Sequence, residues 1–299
     1  MFDWNDLRYF IAFARTGSIG QTAKTLSLNQ STVQRRLRAL EADFGCSLAE
    51  RDAGGYRLTT NGEKLLAHAE RVGEAADDLQ RQLAALDHRP TGHVKLTSNV
   101  TVGQRLIKSG FLDEFHARHP GITIELIMEQ RALDLSRGEA DIAIRGGGPD
   151  CDALVGKRIA DVPWALYATT TFIERNGRPT KPEDLDTYGV VELVGEIESL
   201  PAARWMKLYA PKAKVVASCS NIPSVHLAIR SGACIAPLPS VFAAEDKDLV
   251  CVLGPIKELN YSIFLFTHKD LRQLPRVRAV FDFCLRELKP VLMRGEMRR

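Results

Sequence analysis

The chain has 299 residues, 45% of them hydrophobic and 26% charged, with a formal net charge of +3. That length supports more than one core, and so small a net charge implies neither a nucleic-acid nor a membrane partner, so such a partner must be read from local charge. No apolar run approaches the roughly 18–20 residues of a membrane helix. The start, MFDWNDLRYF, has acids where a signal peptide is basic and apolar, so a cytoplasmic protein is expected. Cys46, Cys151, Cys219, Cys234, Cys251 and Cys284 stand apart with no C-x-x-C pair. That spacing suggests neither a metal site nor a disulfide framework, and nothing calls for a cofactor.

Leu7, Phe10, Ile11 and Ala14 recur at i, i+3, i+4 and i+7, which predicts an amphipathic first helix. TGS breaks it, and Ser18 followed by Gln21 has the capping-box pattern, so a second helix runs from about Ile19 to Leu26. Asn29 suits the N-cap of a third helix, whose buried stripe is Val33, Leu37, Leu40 and Phe44 and whose stop is Gly45. Gln30, Ser31, Thr32, Gln34, Arg35 and Arg38 fall mostly off that stripe. Two helices joined by a tight turn, the second polar and basic toward its start, make a helix-turn-helix that fits the major groove of DNA. A basic face that is merely solvated has the same local pattern. The next segment argues for DNA: RDAGGYRL reads as a small hairpin, a wing on which Arg51 and Arg57 face phosphates.

From Thr60 the pattern changes. Leu65, Ala69, Val72, Ala76, Leu79, Leu83 and Leu86 are spaced alternately by four and three, a heptad seam. Thr59 or Thr60 can cap this helix, and Glu63 favours Thr60. A narrow seam wants a partner helix and so predicts dimerisation. Packing against its own domain is the alternative, which the alanines also suit.

DHRPTGHV then reads as a hinge, and strands alternate with helices after it. Strand HVKLTSN, one helix over 102–120, strand ITIELIM, a short helix over 130–138 and strand ADIAIR form a βαβαβ series and hence a mostly parallel sheet. Strands at 163–169, 189–194, 213–218, 233–239, 249–254 and 261–268 follow, with a helix at 222–232 and a last one from about Pro275 to Leu288. Two such lobes joined by two crossovers make a hinged module like a periplasmic binding protein. Ligands sit at strand C-termini and helix N-termini of such sheets. The loops SNVT and SCSNIPS occupy those places, and their free N–H groups favour an anion such as a carboxylate. Their Ser, Thr and Asn residues are equally good helix caps.

The stretch from Leu7 to Leu66 resembles the DNA-binding half of a LysR-type transcriptional regulator. The matching features are Phe10, Ala14, Gly17, Ser18 and Ala23, then STV, LRALE, the glycine and ER before the wing, and R, LT and G after it. Ala49 stands where the family usually has Phe, and Gln34 where Ser is common. GEADIAIRGG, GRPTKPEDL and SGACIAPLPS extend the resemblance over nearly the whole chain.

The resemblance implies an α+β multidomain chain. Residues 1–59 form a winged helix-turn-helix and 60–88 a linker and dimerisation helix. Residues 92–299 form a bilobed α/β effector domain, with lobe I at 92–161 and 269–299 and lobe II at 162–268. It implies double-stranded DNA at a pseudo-palindromic promoter site, a small-molecule effector and self-association to a dimer and tetramer as partners, with RNA polymerase as a further one. By position, Asn99, Val100 and Thr101 correspond to the first effector-binding loop, and Ser220 and Asn221 lie in the second. Asn99 replaces a frequent Ser. Arg145 ends a strand at a crossover and can serve either the ligand or a structural ion pair.

Two other functions compete. An enzyme on the α/β half would need a catalytic set, yet the sequence has no G-x-S-x-G, H-E-x-x-H or P-loop motif. A redox sensor would use Cys219 and Cys234, although no Lys or His adjoins either thiol in sequence.

Overall fold

The computed structural model describes residues 3–52, 55–85, 90–148 and 151–293. The chain divides into two compact units, 1–84 and 85–299.

In the first unit α1 (Trp4–Thr16), α2 (Ile19–Thr25) and α3 (Gln30–Phe44) precede a hairpin of β1 (Ala49–Asp52) and β2 (Gly55–Leu58), and α4 (Thr60–Ala85) follows. Local chemistry sets the boundaries. The Asp3 carboxylate accepts from Asn5 N–H at 2.9 Å, and Gly17 ends α1 at φ +62°. The Ser18 hydroxyl accepts from Gln21 N–H at the start of α2. Asn29 occupies the N-cap of α3 without a side-chain capping bond, and Gly45 ends that helix at φ +67°, a backbone conformation glycine adopts without penalty. The apolar stripes of the helices meet in one core of Leu7, Phe10, Ile11, Phe13, Ala23, Val33, Leu37 and Leu40, closed by Leu48 and Ala69.

Glu41 ties α3 to the wing: its carboxylate accepts from Leu48 N–H at 2.8 Å and Ala49 N–H at 3.1 Å. Glu41→Ala leaves both donors unpaired and is expected to destabilise this unit by about 1–3 kcal/mol. Glu41→Gln retains an acceptor and should restore much of that loss, as measured by thermal unfolding.

Thr59, not Thr60, caps α4. Its hydroxyl accepts from Gly62 N–H at 3.1 Å and donates to the Ser47 carbonyl at 2.7 Å, so one side chain joins the wing to the helix. Thr60 is already helical.

In the second unit the first lobe contains β3 (Gly92–Ser98), α5 (Val100–Lys108), α6 (Phe111–Arg118), β4 (Ile122–Met128), β5 (Ile142–Gly146) and β6 (Leu154–Val162). The chain then crosses into β7 (Trp164–Thr169), α7 (Thr170–Asn176), β8 (Gly189–Leu193), α8 (Pro201–Tyr209), β9 (Lys214–Cys219), α9 (Ile222–Arg230), β10 (Ala236–Pro239), α10 (Ser240–Ala243) and β11 (Leu249–Leu253). It returns through β12 (Tyr261–His268) and α11 (Pro275–Met293).

The first sheet has the order β4-β3-β5-β12-β6. Its β3 is parallel to β4 and β5, while β12 runs antiparallel to β5 and β6. The second lobe carries β10-β7-β11, all antiparallel, and a parallel β8-β9 pair. Among the described residues one isolated parallel bridge, Val190 to Ile235, joins β8 to the residue before β10. The stripe of α11, including Val277, Val280, Phe281, Cys284 and Leu288, is buried, with Phe283 edge-on to Phe111 and Phe115 at 4.9 and 5.2 Å between ring centroids.

Four expectations are corrected. The helix expected over 102–120 is two, because Gly110 enters the left-handed region at φ +76° and starts α6. Residues 130–138 form turns rather than a helix. There the Glu139 carboxylate accepts from Asp134 N–H and the Asp134 carboxylate from Ser136 and Arg137 N–H, bonds that compete with a helical ladder. The strand 261–268 pairs in the first sheet, so lobe I resumes at about 261 instead of 269. The second lobe, expected as a second βα cycle, pairs β10-β7-β11 antiparallel and β8-β9 in parallel. Among the described residues no helix is long and apolar enough to cross a membrane.

Candidate functional site

On α3, Gln30, Ser31, Arg35 and Arg38 are exposed, and Thr32 and Gln34 are half-buried. The six polar side chains therefore lie off the buried stripe of α3. Arg36 is the exception among the helix's arginines. Its guanidinium turns to α1, 3.3 Å from Asp6 and 3.5 Å from Asp3, and lies over the Tyr9 ring. Burial pushes the Asp6 carboxyl above its usual range and Arg36 pulls it back. Arg36 therefore clamps α3 to α1.

On the wing, Arg51 is exposed, and Arg57 pairs with Glu50 directly opposite it at 2.8 Å. To reach a phosphate Arg57 must leave Glu50, an exchange between exposed partners that costs little.

The heptad positions divide. Ala69 lies in the core of its own unit and Leu65 packs against that core. Val72 and Leu79 are 42% and 60% exposed, and Ala76 is half-buried. Leu83 lies on α4, and Leu86 lies outside the described residues.

The second unit holds a cavity of about 170 Å³ where its two lobes meet. The first lobe brings Ser98, Asn99 and Thr101 at the junction of β3 and α5, and Arg145 at the end of β5. The Asn99 carboxamide caps α5, accepting from Val102 N–H at 2.9 Å. The Ser98 hydroxyl donates to the Asn99 carbonyl. Arg145 is half-buried and makes no ion pair or side-chain hydrogen bond among the described residues. Gly146 beside it admits Tyr261: a Cβ there would stand 1.7 Å from the Tyr261 ring. Burial raises the Tyr261 phenol above its usual range, and Arg145 opposes the rise.

Val100, Ser220 and Asn221 are not among the lining residues. Ser220 is exposed. Asn221 caps α9, its side chain accepting from Ser224 N–H at 2.9 Å and its carbonyl from the Ser224 hydroxyl at 2.8 Å. The second lobe instead supplies Ile222, Phe242 and the turn from Glu196 to Leu200. The strand-end rule applied to β4 finds Glu129, Gln130 and Arg131 as well. Trp164 and Tyr261 stand where the chain crosses between lobes, and both line the cavity.

Arg105, also on the lining, is committed elsewhere. It is 7% exposed and donates to the carbonyls of Val241 and Val291 and to Glu245, the last at 2.6 Å. Arg131 is held by Glu139 at 2.9 Å and Glu129 at 3.7 Å.

Of the two cysteines weighed as a switch, Cys234 donates to the Ala228 carbonyl. Burial, with Cys219 nearby, pushes its thiol up to about 12. Among the described residues no group of three His, Cys, Asp or Glu is placed to hold a metal ion.

Comparison with known proteins places this geometry. Residues 4–63 match the family model of the bacterial regulatory helix-turn-helix protein, lysR family, and residues 87–289 match the LysR substrate binding domain. The probable HTH-type transcriptional regulator LtrA of Klebsiella pneumoniae is 28% identical, over 97% of this chain and 96% of LtrA. A full-length variant of AphB, a Vibrio cholerae virulence activator, superimposes with a TM-score of 0.67 at 23% identity, over 94% of this chain and 98% of that one. Full-length CbnR, solved in complex with its target DNA, does so with a TM-score of 0.55 at 22% identity, over 95% and 99%. The two structural likenesses concern the fold, and the two matched domains together span most of the sequence: the chain belongs to the LysR family of transcriptional regulators.

Proposed function

We propose that this regulator binds a pseudo-palindromic promoter site as a dimer or tetramer joined through α4, acts in the cytoplasm with RNA polymerase as a partner, and responds to a small anionic effector held in the interlobe cleft. The observation that carries the effector reading is the cleft itself: Thr101 at the start of α5 and Arg145, which has no ion pair among the described residues, line one cavity. A helix start favours an anion by roughly 0.3–1 kcal/mol, and hydrogen bonds to a charged ligand are stronger than neutral ones. To signal, the effector must bind one arrangement of the lobes better than another.

Thr101→Val tests this reading. It nearly preserves shape and removes one hydroxyl. Effector affinity should fall, while the effector-free variant binds DNA as before. Full affinity in Thr101→Val places the effector outside the cleft.

DNA reading rests on α3. Gln34→Ala should cost roughly 1–3 kcal/mol at one or two base pairs and spare non-specific binding. Arg57→Ala should weaken all sequences alike and flatten the salt dependence. Wild-type affinity of both Gln34→Ala and Arg35→Ala for the native site removes this assignment.

The thiol switch is disfavoured by burial. A thiol titrating at about 12 holds on the order of one thiolate in 10⁵ at pH 7. Cys234 should therefore be alkylated by iodoacetamide far more slowly than exposed Cys151. Equal rates in the folded protein, read by mass spectrometry, would revive the switch.

A further inference from the structure

The charges of the cleft differ in depth and in commitment. Arg105 and Arg131 both line it, yet Arg105 is bound to Glu245 and Arg131 to Glu139. Arg145 lines it with no such partner among the described residues. It is half-buried and follows Ile144, which pairs with the buried Ser98. The indole nitrogen of Trp164 is buried without a hydrogen-bond partner among the described residues. A half-buried guanidinium without a partner among the described residues calls for an acceptor, because unpaired buried donors are costly. A carboxylate matches a guanidinium fork in charge and shape.

The outer part of the lining has the opposite sign. Glu129 and Glu196 are exposed, and Arg131, 3.7 Å from Glu129, already carries Glu139. A second anionic group reaching this level would meet two carboxylates. Much of the rest of the lining is apolar: Ile197, Leu200, Ile222, Phe242, Val162 and Ile263. A cavity of about 170 Å³ is close in size to the roughly 150 Å³ known to hold a benzene-sized molecule.

Resting on the reading of this cleft as the effector site, we propose that its ligand is a monocarboxylate with one ring-sized apolar body. The carboxylate lies on Arg145, and Glu129 and Glu196 reject dianions that extend a second carboxylate toward the opening. Arg145 is then the residue that selects for charge, and the two glutamates select against a second one.

The test titrates the full chain calorimetrically with benzoate, cyclohexanecarboxylate, benzamide and terephthalate. Benzoate and cyclohexanecarboxylate should bind, and benzamide and terephthalate at least tenfold more weakly. Arg145→Gln should lower benzoate affinity at least tenfold. Arg145→Lys, the variant to use if the glutamine protein fails to fold, should retain part of it, since charge remains and the fork is lost. The double variant Glu129→Gln, Glu196→Gln should gain terephthalate binding. The proposal is overturned if neither monocarboxylate binds, if benzamide or terephthalate matches benzoate, or if Arg145→Gln keeps full benzoate affinity. Thr101→Val separates the two levels of inference. Binding of benzamide or terephthalate that weakens in Thr101→Val leaves the cleft as the site and removes only the charge assignment. Binding indifferent to both Thr101→Val and Arg145→Gln removes the site itself.

Discussion

Arg105→Met should lower the stability of the second unit by about 2–4 kcal/mol, the largest effect expected of any cleft residue outside the ligand contacts. The side chain is 7% exposed and joins three elements. From α5 it donates twice to the Val291 carbonyl near the end of α11, where carbonyls lack helical partners. It also donates to the Val241 carbonyl of α10 and to Glu245 just beyond it. Methionine fills much of the volume but leaves those carbonyls without a donor. Glu245 is 39% exposed and can be rehydrated, which holds the loss below that of a wholly buried pair. Arg105→Lys keeps the charge near Glu245 and loses the fork, so it should fall between. Urea unfolding followed by the fluorescence of Trp164 and Trp205, in a Trp4→Phe background, reads this unit. A loss under about 1 kcal/mol would mean that water replaces the guanidinium at all three contacts.

Arg105 also shows where sequence reading stops. Its partners lie more than a hundred residues away, and no local pattern distinguishes it from any arginine on an amphipathic helix. The winged unit was legible because each of its signals is local. The periodicity of α1 and α3, the Ser18 cap and the glycine stops are settled within a turn or two of helix. Arg36 was not legible, because Asp3 and Asp6 lie thirty residues away. The Arg57–Glu50 pair could have been read, since the register that sets Asp52 opposite Gly55 also sets Glu50 opposite Arg57.

In the cleft, the rule of strand ends and helix starts reached Asn99, Thr101 and Arg145. It overreached at SCSNIPS, where Asn221 serves its own helix. It stopped short at Glu129–Arg131, where the same rule applies after β4. The turn at 195–199 has no periodic pattern to mark it. The strand 261–268 has an apolar pattern that suits either sheet, and only the pairing with β5 and β6 assigns it.

Leu79→Asp should abolish self-association through α4. Val72 and Leu79 are one heptad apart on a helix of 26 residues and 42% and 60% exposed, the apolar positions that the proposed partner helix would cover. In a two-fold pair the substitution sets an unpaired carboxylate into the seam of each helix. A charge buried without a partner costs roughly 3–5 kcal/mol, which at about 1.4 kcal/mol per tenfold weakens the dimer by roughly two to three and a half orders of magnitude for each carboxylate. The mass by light scattering should fall toward that of one chain, and binding to a two-half-site operator should drop to that of a single half-site.

Ala69→Asp is the control that separates assembly from folding. Ala69 belongs to the same heptad series but is 2% exposed within the core of its own unit. Its replacement should unfold the winged domain, visible as lost helical signal. Leu79→Asp should keep that signal in full while the mass falls. An unchanged mass together with unchanged operator affinity in Leu79→Asp would show that the exposed stripe of α4 does not join two copies of this chain.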